Sequence, residues 1–240
     1  MNSCLIWLSI FLLIILILTL PKYNCRKGKT DRNQDIVPIE MFESSEKRQE
    51  YIHKHLIEML ELITKIFREF RIPYFVHSGT LLGVVRENNI IPHDDDIDIA
   101  VYPQDKEFLL SKEFNEEIKK YNLKTEMVLQ KDIDKEIIKL KYLKADHGIF
   151  LDIFIFEDTE ERTQYRSPQC RRIWPRGYFT KKEMYPLKKY QLRHLEVFGP
   201  DNPIPYLERH YGADWKIPKT RERNHNEVIK LDETCNGKCV

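Results

Sequence analysis

The sequence predicts a mixed α/β (α+β) domain built around one sheet, with a membrane segment before it. Strand-like apolar runs and helical patterns alternate between residues 43 and 225, as in domains whose helices flank a single sheet. The first 21 residues are apolar, and residues 22–42 are polar without a pattern. We therefore predict an anchor (1–21), a tether (22–42), a domain (43–225) and a C-terminal tail (226–240).

The anchor prediction depends on residues 4–20, seventeen residues without a charge. As a helix they span roughly 25 Å, the short end of what crosses a bilayer and better suited to a thin one such as the ER membrane. A basic start and small residues before a cleavage site are missing, so we interpret the segment as an uncleaved anchor.

The sequence gives two conflicting indications of membrane orientation. No basic residue precedes the span, and five follow it: Lys22, Arg26, Lys27, Lys29 and Arg32. By the positive-inside rule, this distribution leaves the domain cytosolic. Four cysteines lie outside the span: Cys25, Cys170, Cys235 and Cys239. This even number is compatible with disulfides in a lumen. The CNGKC spacing at 235–239 suits zinc poorly, because no second pair of soft ligands lies near it in sequence.

The elements of the domain follow in order. Apolar residues at helical spacing predict a helix from Ser44 to Phe70, with Ser44 or Ser45 as N-cap and Pro73 just beyond its end. Its apolar face packs in a core or, alternatively, binds a partner. Strands are predicted at 74–79, 96–102, 136–143 and 148–157, and helices at 79–88 and 105–121. Residues 198–218, rich in turns and aromatics, are expected to close over the domain.

Charge along the chain is balanced overall and uneven locally. Lysine plus arginine (39) nearly equals aspartate plus glutamate (38), so no global field favours nucleic acid as a partner. Residues 163–194 contain nine lysines and arginines and one acid, Glu183. This segment is either a solvated loop region packed by its aromatics or a phosphate-facing surface.

Four aspartates lie just before and within a predicted strand, in the stretch PHDDDIDIAV. Because side chains alternate along a strand, Asp96 and Asp98 share one face while the isoleucines between and after them take the other. Two carboxylates about 4 Å apart repel by roughly 4 kcal/mol at an effective dielectric near 20, so they require a compensating charge. Oxygen ligands of this kind predict Mg²⁺ or Mn²⁺. Asp94 and Asp95 also fit a solvated loop.

A further acid, Asp152, stands alone in the apolar run GIFLDIFIF. An unpaired charge there would cost several kcal/mol, so Asp152 must face a partner. If its strand lies beside that of Asp96 and Asp98, three carboxylates converge, two holding metal and the third acting as a base. The alternative is a structural ion pair with Lys139 or Lys141.

The turn HSGT precedes the aspartates and opens a helix. Backbone N–H groups at Ser78, Gly79 and Thr80 and the positive helix end predict a phosphate site. For Arg86 three alternatives are open: pairing with phosphate, pairing with an aspartate, or a position on the helix surface with neither.

Lone histidines such as His77 and His93 are more often structural than metal ligands. The sequence does not have the ligand spacing of an EF-hand calcium loop. It also does not contain the Gly-x-Ser-x-Gly, HExxH or P-loop motifs that would indicate a hydrolase, a metalloprotease or an NTPase.

The stretch SGTLLGVVRENNIIPHDDDIDIAV closely resembles the signature of the LicD family, which includes bacterial phosphocholine transferases, fukutin and fukutin-related protein. The resemblance extends through GIFLDIFIF and, more loosely, PIPYLERHYGADWKIP. It implies a nucleotidyltransferase-type fold and a metal-dependent transfer of a phospho-alcohol from a CDP-alcohol donor to a glycan or glycoprotein hydroxyl. His93 departs from the tryptophan usual in the family.

By position, the resemblance makes Asp96 and Asp98 the metal-binding and catalytic pair, Asp152 the third catalytic carboxylate and Asp94 an accessory acid. Residues Ser78–Thr80 and Arg86 correspond to the donor side. The animal members work in the Golgi lumen behind an anchor, which favours a luminal domain on the ER/Golgi membrane. Nucleotidyl transfer at the same site and a membrane-anchored pseudoenzyme or binding protein are the alternatives.

Overall fold

A seven-stranded mixed sheet forms the centre of the domain. The computed structural model describes residues 44–130, 133–143 and 149–218. Within these residues the strands are β1 (Tyr74–Val76), β2 (Asp96–Val101), β3 (Leu123–Gln130), β4 (Ile133–Tyr142), β5 (Phe150–Asp158), β6 (Arg162–Tyr165), β7 (Tyr178–Thr180), β8 (Lys188–Leu192) and β9 (Leu195–Gly199). The main path of the sheet is β1-β2-β5-β4-β3; β6 joins it at β5, and β7 pairs with β6. Strands β8 and β9 form a separate antiparallel pair.

The parallel pairing of β2 with β5 is the feature that positions the site. All other strand pairs described in the sheet are antiparallel. Ile97 and Ile99 of β2 and Leu151 and Ile153 of β5 are fully buried on one face. The aspartates of the same strands alternate with them and therefore lie on the other face. The mixed α/β class predicted from the sequence is confirmed.

Helices flank the sheet. Among the residues that the structure describes they are α1 (Ser45–Phe70), α2 (Ser78–Glu87), α3 (Lys106–Leu110), α4 (Lys112–Lys119), α5 (Pro168–Ile173), α6 (Lys181–Met184) and α7 (Ile204–Tyr211), and a 3-10 turn lies at Pro103–Asp105. None of the helices in the described parts of the chain is long and apolar enough to cross a membrane. The predicted anchor, tether and C-terminal tail, and the side of the membrane, concern residues outside those parts and stay predictions.

The long first helix forms as its sequence predicts. The Ser44 hydroxyl accepts a hydrogen bond from the Lys47 N–H at 3.3 Å, and Arg71, in a left-handed conformation (φ 57°), ends the helix. Such a cap satisfies an N–H that has no partner within the helix. Leu56 and Leu60 on its apolar face are fully buried in the core. The core-packing interpretation of this face is confirmed.

One sequence expectation about local structure was wrong, and one open alternative can now be described. The single helix expected at 105–121 is two helices, α3 and α4, because Ser111 is extended (φ −67°, ψ 157°) and its hydroxyl caps α4 at the Phe114 N–H, 3.1 Å away. Residues 163–194, for which a solvated loop region packed by aromatics and a phosphate-facing surface were the alternatives, contain β6, α5, β7, α6 and β8, and their aromatics Tyr165 and Phe179 are buried. Cys170 is also buried there, and the other three cysteines considered above lie outside the described residues.

Candidate active site

Three carboxylates meet where β2 and β5 run side by side. Asp98 of β2 lies opposite Asp152 of β5 in the parallel register, and Asp96 lies opposite Phe150. One carboxylate oxygen from each of Asp96, Asp98 and Asp152 lies within 4.8 Å of the other two. The predicted convergence of these side chains is therefore confirmed, because the two strands are neighbours; their chemical roles stay predictions.

The donor set fits a hard divalent cation. In the described parts of the chain, the two groups that could hold an ion consist only of aspartates, the second being Asp94, Asp95 and Asp96. Carboxylate oxygens without nitrogen or sulfur ligands suit Mg²⁺ or Mn²⁺, and a cation would offset the repulsion among the three charges. His77 and His93 belong to neither group.

Asp152 also has a cationic partner on its other side. Lys139 of β4 lies opposite Asp152 in the antiparallel register, and its Nζ donates to Oδ1 at 2.9 Å and to Oδ2 at 3.3 Å. Burial raises the pKa of the Asp152 carboxyl above its ordinary value, and the neighbouring ammonium opposes that shift. Lys141, the other candidate partner, pairs with Glu126 instead.

Asp94 is buried, with 3% of its surface exposed, and lies against the start of α2. Its backbone carbonyl accepts hydrogen bonds from Gln49 Nε2 (2.6 Å) and His53 Nε2 (2.8 Å), both on α1. Its carboxylate approaches Gly79 so closely that a Cβ there would be 2.7 Å from Oδ2. The absence of a side chain at Gly79 thus lets the Asp94 carboxylate pack closely against a helix N-terminus, where the helix dipole favours negative charge.

The first turn of α2 is held by hydroxyl groups. Ser78 has a left-handed backbone (φ 47°), which is costly for a residue with a side chain. Its N–H donates to the Tyr206 hydroxyl at 3.3 Å, and its Oγ lies 2.8 Å from His77 Nδ1 and 3.4 Å from the Tyr165 hydroxyl. Thr80 Oγ1 accepts a hydrogen bond from the Asp98 N–H at 2.8 Å. These contacts join α2 to the strand that carries the aspartates.

The aromatic side chains around this turn stay neutral. Burial raises the pKa of Tyr206 to about 12 and that of Tyr165 well above its ordinary value. Burial also lowers the pKa of His77 to about 3, so its ring is uncharged at neutral pH. The side chains of Tyr206, Tyr165 and His77 therefore serve as hydrogen-bonding groups beside the carboxylates rather than as charges.

Arg86 lies at the opposite end of α2, about 12 Å from Ser78 along the helix axis. Its Nη2 is 2.6 Å from Glu87 Oε1, and its Nη1 donates to the Trp215 carbonyl at 3.2 Å. The structure therefore does not bring Arg86 to the start of α2, where Ser78 and Gly79 lie. Its assignment to the donor stays a prediction.

Sequence reasoning missed two residues of the site. Tyr165 and Tyr206 reach Ser78 across 87 and 128 positions of the chain. No local spacing reports contacts at that separation. The available signals were compositional: Tyr165 lies in the basic segment 163–194 with its aromatics, and Tyr206 lies in the aromatic stretch expected to close over the domain.

Comparisons with known proteins show the family to which the chain is similar. The family model described as LicD/FKTN/FKRP, nucleotidyltransferase domain, matches residues 71–202, more than half of the 240-residue chain. That range contains all of the candidate aspartates.

Three similar proteins illustrate the relationship. An uncharacterized protein of Rickettsia prowazekii is 32% identical over 74% of this chain and 59% of its own length. The human ribitol-5-phosphate transferase FKTN is 27% identical over 67% of this chain and 33% of its own length. The lipopolysaccharide cholinephosphotransferase LicD of Haemophilus influenzae is 25% identical over 50% of this chain and 54% of its own length.

The chain thus spans between about a third and three fifths of the length of these relatives. The match of the family model, together with the carboxylates on β2 and β5 and the turn that opens α2, identifies the chain as a member of the LicD/FKTN/FKRP family.

Proposed function

We propose that this protein is a metal-dependent phosphotransferase that moves a phospho-alcohol, such as phosphocholine or ribitol phosphate, from a CDP-activated donor to a glycan hydroxyl. The observation that carries the proposal is the meeting of Asp96, Asp98 and Asp152 within 4.8 Å, beside the start of α2. Relatives named as a ribitol-5-phosphate transferase and a cholinephosphotransferase support the same reaction class.

In this proposal Asp96 and Asp98 hold Mg²⁺ or Mn²⁺. A bound divalent cation supplies positive charge that neutralises phosphate oxygens and polarises the phosphorus centre. The charge of the two carboxylates and their shared strand face are what this role requires. Asp94, buried against α2, adds to the negative charge that favours cation binding.

The start of α2 provides the second contact with the donor diphosphate. Backbone N–H groups at Gly79 and Thr80 and the positive end of the helix dipole attract phosphate oxygens. Ser78 contributes its hydroxyl, because its own N–H is already hydrogen-bonded to Tyr206. Arg86 would take part only if it exchanged its present contacts for the donor.

The group transfer forms one bond and breaks one bond. The oxygen of the acceptor hydroxyl forms a bond to the phosphorus that carries the alcohol. The bond from that phosphorus to the bridging oxygen breaks, and CMP leaves with the electron pair. Asp152 accepts the hydroxyl proton, and the raised pKa of its carboxyl suits it to proton transfer better than an exposed aspartate. In the alternative, Asp152 would help to hold the metal and the proton would pass to water.

We further propose that residues 4–20 anchor the protein in the ER or Golgi membrane and that the domain faces the lumen. The even number of cysteines outside the span supports this side, and the basic residues after the span oppose it. Protease treatment of intact microsomes tests the proposal: protection of the domain until detergent is added supports a luminal domain. Digestion without detergent contradicts it.

The activity itself is tested with the full chain in detergent. CDP-choline, CDP-ribitol and CDP-glycerol are each incubated with Mn²⁺ and a panel of glycan acceptors, and CMP release and the mass of the acceptor are measured. Metal-dependent CMP release with a phospho-alcohol added to the acceptor supports the proposal. Transfer of the CMP half to the acceptor instead supports nucleotidyl transfer. Donor binding without any product supports the pseudoenzyme.

A further inference from the structure

One row of side chains crosses three neighbouring strands at the site. Asp98 on β2 lies opposite Asp152 on β5, which in turn lies opposite Lys139 on β4. We propose that Lys139 is a positioning residue that holds the Asp152 carboxylate in place and competes with the divalent cation for it. This inference rests on the proposed function, since it assigns a role to Lys139 within the same site.

The position of Lys139 is fixed from two sides. Its Nζ contacts both oxygens of Asp152, and it lies 3.1 Å from the centroid of the Phe150 ring. An ammonium over an aromatic face is attracted by the ring, and the contact strengthens when water is partly excluded. The side chains of Lys139 and Asp152 are 24% and 14% exposed, so this is a shielded pair rather than a solvated surface ion pair.

The location of the pair makes it more than a structural contact. Asp152 is shared between Lys139 and the cluster formed with Asp96 and Asp98. An ammonium at this place neutralises part of the negative charge that attracts a divalent cation, and it occupies oxygens that the cation would use. It also restricts rotation of the carboxylate, which keeps Asp152 aimed at one point.

Two opposite effects therefore follow from removing the charge of Lys139. The cation should bind more tightly, because a competing positive charge is lost. Transfer should become slower, because the Asp152 carboxylate is no longer held in one orientation. A purely structural ion pair predicts neither tighter cation binding nor this separation of the two effects.

Lys141 provides a matched control. It lies two residues from Lys139 on the same strand and the same face, opposite Phe150. Its ion pair is with Glu126, and 45% of its side chain is exposed. Lys141→Met removes the same charge from β4 without touching Asp152.

The experiment measures Mn²⁺ binding to the full chain by titration calorimetry and CMP release under the conditions above. For Lys139→Met we expect a Kd for Mn²⁺ at least about fivefold lower than for the unmodified protein. We expect its kcat to fall at least about tenfold while the donor KM changes less than about threefold. Lys139→Arg keeps the charge and the contact with both carboxylate oxygens, so it should retain the original Kd and most of the turnover. Lys141→Met should leave both quantities unchanged.

The outcomes separate this inference from the proposed function. Unchanged or weaker Mn²⁺ binding by Lys139→Met, with binding intact in the unmodified protein, overturns the role of Lys139 alone. Failure of the unmodified protein to bind Mn²⁺ overturns the metal site and this inference with it. Thermal melts check the fold of each variant, and Lys139→Gln, which keeps a polar side chain without the charge, carries the same expectation if Lys139→Met does not fold.

Discussion

Gly79→Ala separates the function of the site from the stability of the fold. A Cβ at Gly79 would lie 2.7 Å from Asp94 Oδ2, and an ordinary contact of 3.4 Å requires the carboxylate to move by about 0.7 Å. Alanine favours a helix over glycine by about 1 kcal/mol, and overpacking costs about 1–3 kcal/mol when nothing gives way. Here the obstructing atom is the end of a side chain, which can turn, so we expect a stability change within about 1 kcal/mol.

The functional effect of Gly79→Ala should be larger. Misplacing a group of an active site by about 1 Å can reduce the rate by about a hundredfold, so we expect CMP release to fall roughly tenfold to a hundredfold. Gly83→Ala is the control on the same helix, because its Cβ would lie 2.4 Å from the backbone oxygen of Asn89, which cannot turn away. That variant should lose stability instead.

Thermal melts and CMP release, measured on both glycine variants, check this reasoning. It would be refuted by Gly79→Ala with unreduced turnover. It would equally be refuted if Gly79→Ala lost as much stability as Gly83→Ala, because Asp94 would then be unable to yield.

Three further predictions concern the carboxylate, the tyrosine and the histidine of the site. Asp152→Asn should leave donor affinity within a few-fold and slow the rate of transfer by a factor of roughly 10² to 10⁴. A variant that is unstable but fully active per molecule would instead show that Asp152 serves only as the partner of Lys139. Tyr206→Phe removes the acceptor for the first N–H of α2 and should lower turnover roughly tenfold. Tyr190→Phe is the control, because it removes a hydroxyl that donates to the Pro200 carbonyl, and it should leave turnover unchanged. Equal effects of the two substitutions would contradict a positioning role for Tyr206. His77 has a pKa of about 3 in the folded protein against 6.5 unfolded, so the unfolded chain binds more protons between these values and stability rises with pH there. The titration of His77 should therefore lower the free energy of unfolding by about 2 kcal/mol at pH 5 relative to pH 7.5. Urea unfolding of His77→Asn should show a smaller pH dependence, and an equal dependence would contradict this assignment.

The sequence predicted the parts of the site that depend on local periodicity. Alternation along β2 places Asp96 and Asp98 on one face, and an acid isolated in an apolar run signals a partner, as Asp152 shows. The helix α1 was predictable for the same reason, since its apolar spacing and Ser44 cap are contained within one segment.

The parts that the sequence did not predict depend on contacts between distant segments. The Lys139 partner of Asp152 was one of two candidates, and only the antiparallel register of β4 with β5 decides between them. Tyr206 reaches the start of α2 through the position of α7, which no spacing in the chain reports. The break between α3 and α4 was missed because the apolar spacing continues through Ser111, whose capping geometry ends one helix and begins the next.

The central claim is that Asp96 and Asp98 hold a divalent cation that the transfer of a phospho-alcohol requires. The most direct test is CMP release from the preferred CDP-alcohol, with and without Mn²⁺, by the unmodified protein and by the Asp96→Asn/Asp98→Asn double variant. We predict Mn²⁺-dependent release by the unmodified protein and none above background by the double variant, whose melting temperature should not fall because two repelling charges have been removed. Full Mn²⁺-dependent release by the double variant would contradict the claim.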